Sequence, residues 1–212
     1  MARFPAWILI AFLAAASGPK EEDFTSIFDG KTLEGWHASN EPGHASGCSW
    51  SVQDGAIEGV QESPGEWGIL TTAKKYGDFE LRLEVKTEWP FDAGVIVRSS
   101  PEGHGYEVLI RSRDDGDVGG IAGSRVGKFH AAAKDWKKSW KKDGWNELRI
   151  AVRGEKPEIH TFLNGTSMAD LRGEVKDPRV GATGHVALKI HAAEECFNQR
   201  VCFRNVRISE IK

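Results

Sequence analysis

The sequence predicts an all-β fold, a sandwich or jelly roll of antiparallel sheets. Three observations carry that reading. From Asp78 to Lys86 the apolar residues Phe79, Leu81, Leu83 and Val85 alternate strictly with charged ones, the pattern of a strand with one face in a core and one in water. Asp-Gly and Asn-Gly pairs, at 54–55 and 164–165, sit between strand-like runs, the strongest short-range hairpin signal. About a dozen short strands can be traced, with no sustained helical periodicity and no internal repeat. With 212 residues, 24 glycines and 40% hydrophobic content, the chain suits one β-rich domain with a single sizeable core.

Residues 1–16 read as a signal peptide. Arg3 precedes an apolar run from Trp7 to Leu13, too short to span a bilayer, and the small Ala14 and Ala16 place cleavage after Ala16. No cysteine follows closely, which argues against a lipid anchor. The mature protein is therefore expected to be exported, periplasmic or extracellular. A polar linker, 17–23, leads to the domain at 24–212.

The formal net charge is −3, and loss of Arg3 makes it one unit more negative, so nucleic acid is a disfavoured partner. Three cysteines, Cys48, Cys196 and Cys202, meet oxidising conditions after export. Cys196 and Cys202 flank a turn and can pair, leaving Cys48 over; three unpaired thiols is an equal alternative.

In order, Phe24 and Ile27-Phe28 supply a first short strand, Asp29-Gly30 a turn, and Leu33 and Trp36 return apolar bulk to the body. Residues 37–48 read as loop, 50–59 as a hairpin about Asp54-Gly55, and 68–72 as a strand. The alternating strand at 78–86 comes next. Residues 114–123 read as a glycine-rich loop. The basic segment 131–143, with Trp136 and Trp140, reads as a solvated loop or a single helical turn. Strands follow at 144–154 and 158–163, and Asn164-Gly165-Thr166, although a glycosylation acceptor pattern, is explained by a turn. In 184–191, Val186, Leu188 and Ile190 share one face and Ala187, Lys189 and His191 the other. In 200–211 the apolar phase slips from odd (Val201, Phe203) to even (Val206, Ile208), which predicts a bulge near Arg204-Asn205.

The stretch Ala93–Ser112 reads as two strands joined by a Pro/Gly turn. Tyr106, Val108 and Ile110 share one face; Glu107, Leu109 and Arg111 share the other, less apolar one. Arg98 lies on the same face as Ile96 by alternation, so Arg98 and Glu107 can reach one surface. A sugar or carboxylate site uses such an arrangement, and so does a plain cross-strand ion pair.

Ser26-Ile-Phe-Asp-Gly-Lys-Thr-Leu-Glu-Gly-Trp36, Trp50-Ser-Val-Gln-Asp-Gly, Tyr76-Gly-Asp-Phe-Glu-Leu, Ala93-Gly-Val-Ile-Val-Arg98, Gly105-Tyr-Glu-Val, Trp145-Asn-Glu, Leu163-Asn-Gly165 and Val201-Cys-Phe-Arg-Asn-Val-Arg-Ile208 together resemble the 3-keto-disaccharide hydrolase, or 3-keto-glucoside-1,2-lyase, family. The resemblance runs in order from Phe24 to Lys212 and implies a concanavalin A-like jelly roll of two antiparallel sheets. It also implies cleavage of 3-keto-glycosides: the ketone acidifies the C2 proton, a base removes it, the C1 substituent leaves by β-elimination, and water adds back. Position by position the resemblance carries over Arg98, Glu107 and His191; the roles we infer are base and acid for Glu107 and His191, with Arg98 and Lys189 holding the enolate. Arg111, Trp67 and Trp136 are further candidates for substrate binding; Trp89 and Trp140 are possible platforms too.

The chain departs from the family pattern at Leu109, Ser112, Ala122 and Lys189. Leu109 and Ala122 keep open a non-catalytic carbohydrate-binding module on the same fold. An ordinary glycosidase pairing Glu107 with Asp114 or Asp115 is a third reading, lowered by the absence of a Glu-x-Asp-x-x-Glu strand. No metal ligands are assigned. A divalent metal acting on the ketone is an open cofactor, with Asp114, Asp115, Asp117, His104 and His130 near one another in sequence but in no recognised ligand spacing.

Overall fold

The computed structural model describes residues 19–39, 47–173 and 177–211. The expected signal peptide, 1–16, lies outside them. Two antiparallel sheets face each other. The chain runs β1 (Thr25–Ser26), β2 (Trp36–Ala38), β3 (Cys48–Gln53), β4 (Ala56–Gln61), β5 (Gly68–Thr72), β6 (Phe79–Thr87), β7 (Phe91–Ser99), β8 (Gly105–Ser112), β9 (Val118–Ser124), β10 (His130–Ala131), α1 (Trp136–Ser139), β11 (Asn146–Arg153), β12 (Glu158–Leu163), β13 (Thr166–Arg172), β14 (His185–Ile190) and β15 (Arg200–Glu210). The eight-stranded sheet has the order β13-β12-β11-β6-β15-β4-β3, with β1 added on β15; the seven-stranded sheet has the order β10-β9-β8-β7-β14-β5-β2.

Period-two alternation builds the core. Phe79, Leu81, Leu83 and Val85 of β6 and Leu148, Ile150 and Val152 of β11 meet Val95, Val97, Val108, Ile110, Val186 and Leu188 of the opposite sheet, all fully buried. Asp54-Gly55 and Asn164-Gly165 close their hairpins with φ of 50° and 77°, and 48° and 81°. Both residues of each pair are left-handed, which matches the twist of the strands they join. The phase slip in β15 is a bulge: its register against β6 shifts between Arg204 and Arg207, and Asn205 takes φ 49°.

Three expectations need correction. The glycine-rich stretch at 114–123 is loop only at its start, because Val118–Ser124 forms strand β9. Its glycines serve close packing: a β-carbon on Gly119 would lie 2.8 Å from Met168 side-chain atoms, and one on Gly123 would lie 2.4 Å from the Gly127 carbonyl oxygen. The segment before Phe24 is no free linker, since Glu21 pairs with Arg82 at 3.0 Å and Arg207 at 2.9 Å. All three cysteines are free; Cys196 is packed into the core between the sheets while Cys202 lies outside it among Glu58, Lys86 and Arg200, so the pair that flanks the turn does not form. Burial pushes the Cys196 and Cys202 thiols up to about 11 and Cys48 to about 12.

Candidate active site

The outer face of the seven-stranded sheet carries the site, because alternation there turns charged residues away from the core. Glu107 of β8 lies opposite Ile96 of β7 and Ala122 of β9, while Lys189 of β14 lies opposite Gly94 of β7. The Glu107 side chain leans along its strand into the room left by Gly94: a β-carbon there would stand 2.3 Å from Oε1. Glu107 is buried and both its oxygens are engaged. Lys189 Nζ donates to Oε2 at 2.9 Å and to Ser124 Oγ at 3.2 Å, and His191 Nε2 is hydrogen-bonded to Oε1.

Burial opposes ionisation of Glu107, but the neighbouring charges of His191 and Lys189, with their hydrogen bonds, outweigh it and hold the carboxyl down to about 2. Glu107 is thus held as the carboxylate at neutral pH and is a weak base. Its geometry suits orientation of the histidine: a carboxylate on Nε2 keeps a proton there, and in the neutral imidazole that leaves Nδ1 with a lone pair. His191 sits just past β14, its main-chain N–H held by the Asp92 carbonyl at 2.9 Å. It opens onto a cleft of about 490 Å3 that Asp92, Arg113, Glu194 and Glu195 also line.

Asp92 is the residue that sequence reasoning missed. It is buried, opposite Arg111 in register. Its Oδ1 lies 3.4 Å from Arg111 Nε and 3.9 Å from His191 Nε2, yet neither Oδ1 nor that Nε has a hydrogen-bond partner among the described residues. Buried polar atoms left unpaired beside a cleft are groups a ligand can satisfy. The signal was present, because the alternation that pairs Ile96 with Glu107 also places Asp92 and Gly94 on that face.

Trp67 borders the same site, with Lys189 Nζ 5.6 Å and the Arg125 guanidinium 5.0 Å from its ring centroid. Trp136 does not reach it. Its indole is buried with Val118, Leu163 and Met168, and Nε1 donates to the Gly116 carbonyl at 3.0 Å. It is core, and the basic segment around it makes the single helical turn α1.

Arg98 is also absent from the site. It takes φ 51° at the point where the β7–β14 register shifts, which rotates its side chain out of the strict alternation. The guanidinium is instead enclosed at the end of the sandwich, 2.9 Å from Asp78 Oδ1 and 2.9 Å from the Gly154 carbonyl. The acidic and histidine side chains considered for a metal likewise scatter. Asp117 and His130 pair at 2.6 Å, His104 packs on Ser100, and Asp115 pairs with Arg113. Among the described residues no three such side chains are grouped to hold an ion.

A family model, the 3-keto-alpha-glucoside-1,2-lyase-like domain, matches residues 23–209. The chain belongs to that family. Over 102 residues this lyase-like domain is 29% identical to a 3-keto-disaccharide hydrolase of Bacteroides thetaiotaomicron; the match covers 46% of the chain and 32% of that protein. The matched stretch thus spans about a third of that relative's length. Among solved structures, it resembles a candidate glycosyl hydrolase of Parabacteroides distasonis at TM-score 0.60 and 21% identity, over 92% of this chain and 98% of that one. A carbohydrate-binding module of Bacillus subtilis superposes at TM-score 0.54 and 13% identity, over 83% of this chain and 96% of that one. At these identities the likeness is one of fold, and it fits the lectin-like jelly roll of the lyase-like domain.

Proposed function

We propose that this is an exported enzyme that cleaves 3-keto-glycosides by C2 proton removal, β-elimination and hydration. The observation that carries the reading is the buried Glu107 carboxylate bonded to a cleft-lining His191. His191 Nδ1 takes the C2 proton while Glu107 steadies the imidazolium that forms. The C2–H electron pair becomes the enolate, whose oxygen is held by Arg111 and Arg113 at the Asp92 cleft. The enolate then expels the C1 oxygen, which takes the proton back from His191, and water adds at C1 as a proton returns to C2. Glu107 acts here as a positioning group and the histidine as the base. The apolar amino-terminal run Trp7–Leu13 supports export.

The test is deuterium exchange at C2 of a 3-keto-glucoside in heavy water, followed by NMR. Exchange with release of the C1 substituent, lost in His191→Ala, is the expected result. Cleavage of ordinary glycosides without the ketone, or no exchange, overturns it. The second reading, a non-catalytic carbohydrate-binding module, is favoured by one observation: both Glu107 oxygens are already spent on internal partners. Under it the protein retards on an immobilised-sugar gel and catalyses no exchange.

A further inference from the structure

Away from Glu107, a second cleft of about 390 Å3 opens at the β2 edge of the same sheet, lined by residues that include His37, Thr71, Pro101, Glu102 and His185. Thr71 lies opposite His37 on one side and Ala187 on the other, so it faces outward with them. Its residue is only 6% exposed, yet Oγ1 has no hydrogen-bond partner among the described residues. A buried threonine hydroxyl left unpaired is a destabilising choice where valine has the same shape, and such choices concentrate where a ligand completes the bonding.

The other groups define what that ligand is. The Ser100 hydroxyl, with the main chain of Glu102 itself, holds the Glu102 carboxyl below the usual range, so it is an anionic acceptor that repels anions and accepts from hydroxyls. His185 Nδ1 is bonded to the Thr72 carbonyl at 2.7 Å, which requires the proton on Nδ1. Pro101, Ala38 and Ala73 add apolar surface among these polar groups. One carboxylate, one free hydroxyl, imidazoles and a small apolar wall match a neutral polyhydroxylated ring.

We propose that this cleft is a second binding site, separate from the Glu107 site, for a neutral sugar ring. Glu107, Ile96, Ala187 and Thr71 lie in one registered row across β8, β7, β14 and β5, three inter-strand steps or about 14 Å. The turn at 100–104 covers the apolar residues between, since a β-carbon on Gly103 would stand 2.3 Å from Ile69 Cδ1. The site therefore stands on its own lining and does not depend on the elimination reaction.

The test is an NMR titration of the labelled full chain with methyl α-glucoside and, separately, maltotriose. Amide shifts at Thr71, Thr72, Ala73 and Glu102 should saturate with both. Equal Kd values mean that a free single ring is bound; tighter binding of maltotriose means the ring belongs to a longer glycan. Thr71→Val should weaken binding at least about five-fold, Thr71→Ser should retain it, and Glu107→Gln should leave these shifts unchanged. Thr71→Val breaks no hydrogen bond among the described residues and keeps the side-chain shape, so the variant is expected to fold. Absence of shifts at these amides, or a Thr71→Val variant that melts higher and binds equally well, overturns the proposal.

Discussion

The carboxylate of Glu107 occupies the space that a β-carbon at Gly94 would fill, 2.3 Å from Oε1. Gly94 is on β7 in ordinary extended backbone, so its lack of a side chain serves clearance and not conformation. Gly94→Ala should force Glu107 from its bonds to Lys189 and His191. We expect a loss of about 2–4 kcal/mol in stability, the cost of overpacking plus broken buried bonds. C2 exchange should fall at least about ten-fold; thermal melts and the exchange assay check the two effects together.

The depressed Glu107 carboxyl makes stability depend on acid. Its folded value of about 2 lies below the ordinary glutamate value of 4.5, so the folded state gains stability that is fully present above about 4.5 and is lost as pH falls toward 2. The gain is of order 3 kcal/mol. Urea midpoints measured from pH 6 to pH 2 should fall in the wild type, and Glu107→Gln should flatten that part of the curve.

Lys189 and Glu107 are both buried, and each is costly without the other. Lys189→Met should destabilise by about 3–5 kcal/mol because Glu107 keeps its charge in a dry site with one partner fewer. The double variant Lys189→Met, Glu107→Gln should lose less than the two single losses added. Additive losses in chemical denaturation would show that the pair is not coupled.

The two tryptophans should separate cleanly. Trp136→Ala empties a packed cluster and should cost about 3–5 kcal/mol, with little change in substrate affinity per folded molecule. Trp67→Ala, at the site border beneath Lys189 and Arg125, should be milder in stability and should weaken ligand binding. Melting curves and titration on the same preparations decide it.

How much was legible follows from which signals are local. The alternation in β6, the two turn dipeptides and the phase slip at Arg204-Asn205 each concern neighbours in sequence, and each reads correctly. Glu107, Lys189 and His191 come together as alternation requires. Arg98 fails the same rule because a bulge rotates one residue, and the glycine that makes room for its backbone, Gly184, lies far along the chain. The β9 glycines read as loop because their purpose, room for Met168 and for the 126–127 backbone, lies in other parts of the chain. Trp136 reads as a platform because a surrounding run of lysines conceals a buried indole.

Sheet order has a consequence for how the polypeptide is made. β14 lies between β7 and β5 in one sheet, and β15 between β6 and β4 in the other, so the last two strands in chain order are central in both. Until they leave the ribosome, each half-sheet carries an unpaired interior edge and neither layer can close. Folding must wait for nearly the whole domain, a late and highly non-local event. A nascent domain of this design stays open until nearly all of its strands have emerged, and loss of β15 would remove the middle of a sheet and not its margin.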